Sequence, residues 1–130
     1  MALMSFREPN QVKWVGVRPA HRGTQNKAGA AATNGATLIY AVPAAKSFFL
    51  TCFFLSLSAQ ATGVISLLIR DAGGLGWATI ARHYIVVATP YVGACHSLVF
   101  PIELPALYDF VVTSSAAGLT ADAIIFGWEE

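Results

Sequence analysis

Cys95 and His96 stand side by side, the one place in the chain where a thiol and an imidazole are neighbours. Such a pair could make an activated nucleophile or, with further ligands, hold zinc. Adjacent residues of a strand point to opposite faces, however, so in the strand-like run 94–104 the two neither activate one another nor chelate together. The other histidines, His21 and His83, and the other cysteine, Cys52, show no paired spacing of the kind zinc sites use. A reactive thiolate needs an electropositive, partly exposed setting, whereas Cys52 lies between Leu50 and Phe54 and Cys95 lies in an apolar run. Both read as buried free thiols, with a disulfide between facing strands as the alternative. Of the seven carboxylates, Asp71 and Asp122 fall in or near turns, Glu129 and Glu130 end the chain, and no pair nominates itself for acid–base work in a cleft. Gly73, Gly74 and Gly76 could suggest a phosphate cradle, but Trp77-Ala78-Thr79 follows in place of Lys-Ser/Thr and a helix. The expectation is a protein that is not an enzyme, with no catalytic residues, no cofactor and no metal.

The elements that carry these residues read as strands. Residues 46–58 (KSFFLTCFFLSLS) are too few for a membrane helix, which needs about 20 apolar residues, and their aromatic and Ser/Thr content fits a strand. Period-two alternation places Phe49, Phe53, Leu55 and Leu57 on one face and Phe48, Leu50, Cys52 and Phe54 on the other. Both faces are then apolar, which implies cover on both sides, part of it from another copy. Further strands are expected at 12–18, with Trp14 opposite Val15 and Val17, and at 36–42, 63–70, 94–104, 107–114 and 121–128. Residues 77–88 begin as a possible helical turn and continue as a β-rich run. Pro101 and Pro105 mark 94–104 as an edge strand or one with a bulge, with Leu98, Phe100, Ile102 and Leu104 inward. Residues 21–34 (HRGTQNKAGAAATN) have no bulky apolar residue and read as a long loop. About eight short strands separated by turn signals predict an all-β chain: an antiparallel β-sandwich of jelly-roll type. The division is an extended N-terminal arm at 1–11, interrupted by Pro9, and a single sandwich domain at 12–130.

Composition speaks about partners. Hydrophobic residues make up 55% and charged ones 12%, against a usual charged share of roughly 25%, so much of the surface is expected to be buried in assembly. A net charge of +1 offers no field for nucleic acid, and neither a secretory leader nor a membrane span is read, which places folding in a reducing cytoplasm. The arm should anchor on a neighbour through Phe6 and Trp14, with Arg7 as a polar latch. Phe48, Phe54, Trp77 and Trp128 complete the interface candidates. Exposed Trp and Tyr could instead stack on sugar rings.

Three phrases carry a resemblance. Residues 38–51 (LIYAVPAAKSFFLT), 100–105 (FPIELP) and the ending Ile124-Ile125-Phe126-Gly127-Trp128-Glu129-Glu130 resemble small β-sandwich virion proteins of tailed bacteriophages. There a strand enters a V-P-A-G-K turn and an aromatic strand, with an F-P-I-x-L strand and a G-x-E-E end later. The resemblance covers 36–130, and Ala45 stands where the turn usually has Gly. It implies a structural virion protein, decorating the capsid as a homo-oligomer, a trimer above all, on partners such as the major capsid protein. The alternative it leaves is a tail- or fibre-associated module that binds carbohydrate or a receptor. Coat subunits of single-stranded RNA phages have similar length but end in helices and bind RNA on a basic sheet, and neither feature is present in this sequence.

Overall fold

The computed structural model describes residues 24–130; the arm, the expected strand at 12–18 and the candidates Phe6, Arg7 and Trp14 lie outside the described residues. The strands in chain order are β1 (Thr24–Thr33), β2 (Gly35–Ala41), β3 (Phe48–Ala59), β4 (Gly63–Arg70), β5 (Gly76–Ile85), β6 (Ala94–Leu104), β7 (Asp109–Ser114) and β8 (Thr120–Glu129). All pair antiparallel, in one sheet ordered β1-β8-β3-β6 and another ordered β2-β7-β4-β5. Between the sheets lie Leu50 and Leu55 of β3, Ile65 and Leu67 of β4, Phe110 and Val112 of β7, and Ile125 of β8. Each such side chain contributes about 1.5–3 kcal/mol by leaving water.

Two readings of the chain need correction. The expected loop at 21–34 contains a ten-residue strand, β1, paired with β8 from Thr24↔Glu129 to Thr33↔Thr120. Its alternation is written in alanines: Ala28, Ala30 and Ala32 turn toward the core while Lys27, Gly29 and Ala31 turn out. Small residues are suited to this position, because even a Cβ on Gly29 would meet the Ala123 carbonyl oxygen at 3.1 Å. Residues 76–85 are strand throughout, with no helical turn at their start.

The faces of β3 are also divided differently. Its register against β8 passes from Leu50↔Gly127 to Cys52↔Phe126, leaving Thr51 as an extra residue. A bulge of this kind reverses the alternation. Phe48 and Leu50 face the core before it, and Phe53, Leu55 and Leu57 after it. Phe49, Cys52 and Phe54 therefore share the outer face. The Thr51 hydroxyl donates to the Phe126 carbonyl at 3.1 Å, which holds the bulge. Among the described residues β6 is an edge strand, and its register against β3 jumps from Leu50↔Ile102 to Cys52↔Ser97, so the irregularity demanded by Pro101 is present. Leu98 and Ile102 still face inward, but the bulging segment leaves Phe100 83% exposed, contrary to the simple alternation.

The turn before β3 explains the departure at Ala45. The Lys46 amide donates to the Pro43 carbonyl at 3.3 Å, and Ala45, third residue of that turn, has φ 64°. A side chain in this left-handed region costs roughly 1–2 kcal/mol, and turns with positive φ at this position favour Gly. Ala45→Gly is expected to stabilise the fold by about 0.5–1 kcal/mol, read as a raised urea midpoint at constant slope. A lowered midpoint would show that the left-handed geometry carries no penalty here.

Candidate functional site

The two sheets close on one side and open on the other. β1 runs into β2 through Asn34 alone, so the chain passes directly from one sheet to the other. At the opposite side β5 ends one sheet and β6 the other among the described residues, and a cavity of about 500 Å3 lies between them. Phe53 of β3 and Ile69 of β4 form its floor. Trp77 to Ile80 of β5 make one wall, and His96, Leu98 and Ile102 of β6 the other. The lining is almost wholly apolar, with the Thr79 hydroxyl and the His96 imidazole as polar groups. His96 lies tilted on Phe53, ring centres 5.0 Å apart. Trp77 is 52% exposed at the mouth and packs edge-on against Tyr108 at 5.6 Å. Among the described residues, the backbone groups that β5 and β6 turn away from their own sheets flank this opening and have the geometry to pair with an added strand.

Other exposed apolar side chains lie near the same side. Val99 and Phe100 project from β6, and Tyr84, Val86, Val87 and Val92 from the end of β5 and the loop that joins it to β6. None of these is among the interface candidates read from the sequence, although Tyr84 is one of the aromatics read as able to stack on sugar rings. The signal available was Pro101 in an otherwise apolar run, which marks an irregular edge.

The sequence-derived candidates separate into different environments. Phe48 is 1% exposed, with its ring against Tyr40 at 5.1 Å and Phe110 at 5.5 Å; it belongs to the core and presents no surface to a partner. Trp128 is 4% exposed and stacks on Phe49 at 4.8 Å, the residue opposite it across β8 and β3. Phe54 remains 40% exposed on the outer face, edge-on to Phe126 at 5.7 Å. Phe54 and Trp77 thus lie on different surfaces, one on a sheet face and one at the open side.

The groups with chemical potential are dispersed. Cys95 faces outward opposite Phe54 while His96 faces Phe53 across the same pair of strands, as adjacent strand residues must. Both cysteines are free. Cys52 is half-buried, but Cys95 is exposed, which corrects the expectation of two buried thiols. The Cys95 pKa is raised, by desolvation first and by the neighbouring Cys52 thiol second. That direction is opposite to the one that activates a thiol. Alkylation of Cys95 by iodoacetamide at neutral pH is expected to run slower than that of a free cysteine peptide, and a faster rate would reverse this assignment. His83 packs edge-on to Tyr91 at 5.7 Å, and its buried Nε2 has no hydrogen-bond partner among the described residues. No group of three or more His, Cys, Asp or Glu able to hold a metal occurs among the described residues.

The glycine turn is satisfied internally. The Asp71 carboxylate accepts from the Gly73 amide at 2.8 Å and the Leu75 amide at 3.0 Å, so the donors that would cradle a phosphate are already engaged. Arg70 and Asp109, opposite each other on β4 and β7, form a two-pronged ion pair at 2.8 and 2.6 Å, and this contact raises the Arg70 pKa. It ties two inner strands and does not border the cavity. Comparison of the chain with protein families, curated proteins and solved structures finds no match.

Proposed function

We propose that this chain is a non-enzymatic structural protein of a tailed-phage virion, a jelly-roll sandwich that self-associates, as a trimer above all, and binds the particle surface through partners such as the major capsid protein. The observation that carries this reading is the exposed apolar surface at the open side, where Trp77 stands at the cavity mouth and Val99 and Phe100 project from β6, the strand that walls it. Large exposed apolar side chains gathered on one strand and its neighbouring cavity are what an interaction site requires. The strand orders β1-β8-β3-β6 and β2-β7-β4-β5 support the jelly-roll part of the reading, since that architecture is two four-stranded sheets and is frequent in capsid and lectin domains. The sparse charge, 12% of residues, agrees with a surface that is covered in assembly. Sedimentation at micromolar concentration should give a trimer, and the protein should co-sediment with phage heads. A monodisperse monomer that ignores heads and tails would sink the proposal.

The exposed aromatics Trp77 and Tyr84 favour one alternative, a glycan- or receptor-binding module of a tail or fibre. Binding on a glycan array that is lost in a folded Trp77→Ala variant would replace decoration with recognition.

A further inference from the structure

β5 carries two more residues than its neighbour β4. Gly76–Arg82 lies against Ser66–Arg70, and register shifts between Leu67 and Leu68 and between Ile69 and Arg70 leave Ile80 and Trp77 as the extra residues. Bulges of this kind gather at sheet edges and re-aim side chains. Ile65, Leu67 and Ile69 belong to the core, so Ser66 and Leu68 face away from it. Their partners across the strands, Arg82 and Thr79, share that outer face. A cavity of about 290 Å3 lies there, lined by Leu68, Gly76, Trp77, Ala78, Thr79 and Arg82. Trp77 to Thr79 border the larger apolar cavity as well, but Leu68 and Arg82 do not.

Three kinds of group meet in this hollow. Trp77 is 52% exposed and offers an apolar indole face. Thr79 brings a hydroxyl that can donate or accept. Arg82 brings a guanidinium whose Nε donates to the Ser66 hydroxyl at 3.4 Å, which leaves the terminal nitrogens for another partner. The ion pairs among the described residues join Arg70 to Asp109 and Lys46 to Glu129, so Arg82 has no counter-charge there. No Asp or Glu occurs between Asp71 and Glu103, and the lining is free of carboxylates.

These groups select a ligand by charge, shape and size. A guanidinium fork matches a carboxylate with two parallel hydrogen bonds. One positive charge balances one carboxylate, whereas a phosphomonoester carries about −1.5 to −2 and would remain undercompensated. The indole face suits the apolar face of a ring, and the hydroxyl suits a polar substituent on it. The volume lies near the lower end of the roughly 300–1,000 Å3 of small-ligand sites, room for about one sugar ring. We propose that the β4–β5 hollow binds a carboxylate-bearing sugar, a hexuronic or sialic acid residue of a glycan. Its carboxylate sits on Arg82, its ring on Trp77 and a ring hydroxyl on Thr79. The proposal gives the recognition alternative above a ligand class and rests on that reading, not on self-association.

The 15N-labelled full-length chain is titrated with glucuronic acid, N-acetylneuraminic acid and glucose and followed by chemical-shift perturbation. The acids are expected to move the Thr79 and Arg82 amides and the Trp77 indole N–H, and to bind about tenfold or more tightly than glucose, the size of a lost hydrogen bond to a charged group. A response to one acid alone supports the site and identifies the sugar. Arg82→Gln, checked for folding by circular dichroism, should lower affinity for the acids to that for glucose. Arg82→Lys should recover only part of it, since an ammonium lacks the fork. Equal binding of acids and glucose, acid binding unmoved in folded Arg82→Gln, or shifts confined to other residues would overturn the acidic-sugar site and leave the recognition reading standing. No binding to any sugar, in the titration or on a glycan array, overturns both. Should Arg82→Gln fail to fold, the shifts and the acid-to-glucose ratio of the unsubstituted chain decide.

Discussion

Phe48→Ala is expected to lower the free energy of unfolding by about 3–5 kcal/mol, the range for truncating a fully enclosed aromatic. Its ring touches Tyr40, Phe110 and the open backbone of Gly127, so the void it leaves is bounded by both sheets and cannot collapse without moving strands. With typical stabilities of about 5–15 kcal/mol, the variant should stand near the edge of folding at 25 °C, and urea titration by circular dichroism measures it. The same substitution separates two roles for an aromatic strand. A residue at an interface would lose assembly at little cost to the isolated chain. Phe48 should lose the fold first, and a variant with an unmoved midpoint but impaired assembly would return Phe48 to the interface.

Gly127→Ala is the second large effect, expected at about 3 kcal/mol, the upper part of the range for overpacking. A Cβ built there lies 2.2 Å from the Phe49 carbonyl oxygen and 2.6 Å from the tip of the Phe48 ring. The ring can rotate, but the carbonyl belongs to β3, which pairs with β8 at this level through Leu50↔Gly127 and Phe49↔Trp128. Relief therefore requires breaking the ladder between the two central strands of the sheet. Thermal unfolding should show the loss. An unchanged midpoint would mean that β3 and β8 shift locally at no cost, and the double variant Phe48→Leu/Gly127→Ala should recover only the share of the loss due to the ring.

These two residues also show what the sequence could and could not disclose. The all-β class was legible because bulky β-formers recur between turn signals, and the runs 36–42, 63–70 and 94–104 lie within a residue of β2, β4 and β6. β1 was hidden because its pattern is carried by alanine, whose apolar contribution is too small to stand out beside glycine and threonine. The direction of Phe48 was hidden by the bulge at Thr51: one extra residue exchanges the faces, and nothing in the string KSFFLTCFFLSLS marks which residue is extra. Among the aromatics exposed at the open side, the exposure of Trp77 was legible from its place beside a glycine turn. That of Phe100 was not, since period-two alternation sent it inward and only the irregular register of β6 brings it out. The absence of paired ligand spacing was readable from one dimension, because adjacent strand residues diverge whatever the tertiary fold.

The position of β8 between β1 and β3 governs the order of folding. β1 finds its partner about a hundred residues later in the chain, through pairs such as Thr24↔Glu129, and β3 reaches the same strand through Phe53↔Ile125. Among the described residues, until 120–129 have been synthesised, β1 has no neighbour in its sheet and β3 has only β6. The other sheet, β2-β7-β4-β5, can assemble earlier, from 35–114, but its apolar face then waits uncovered. Folding dominated by such distant pairings is slow, and its intermediates expose unpaired edges. A ribosome-stalled chain ending before residue 120 should accordingly remain protease-sensitive across β1 and β3, and β8, once it emerges, locks both.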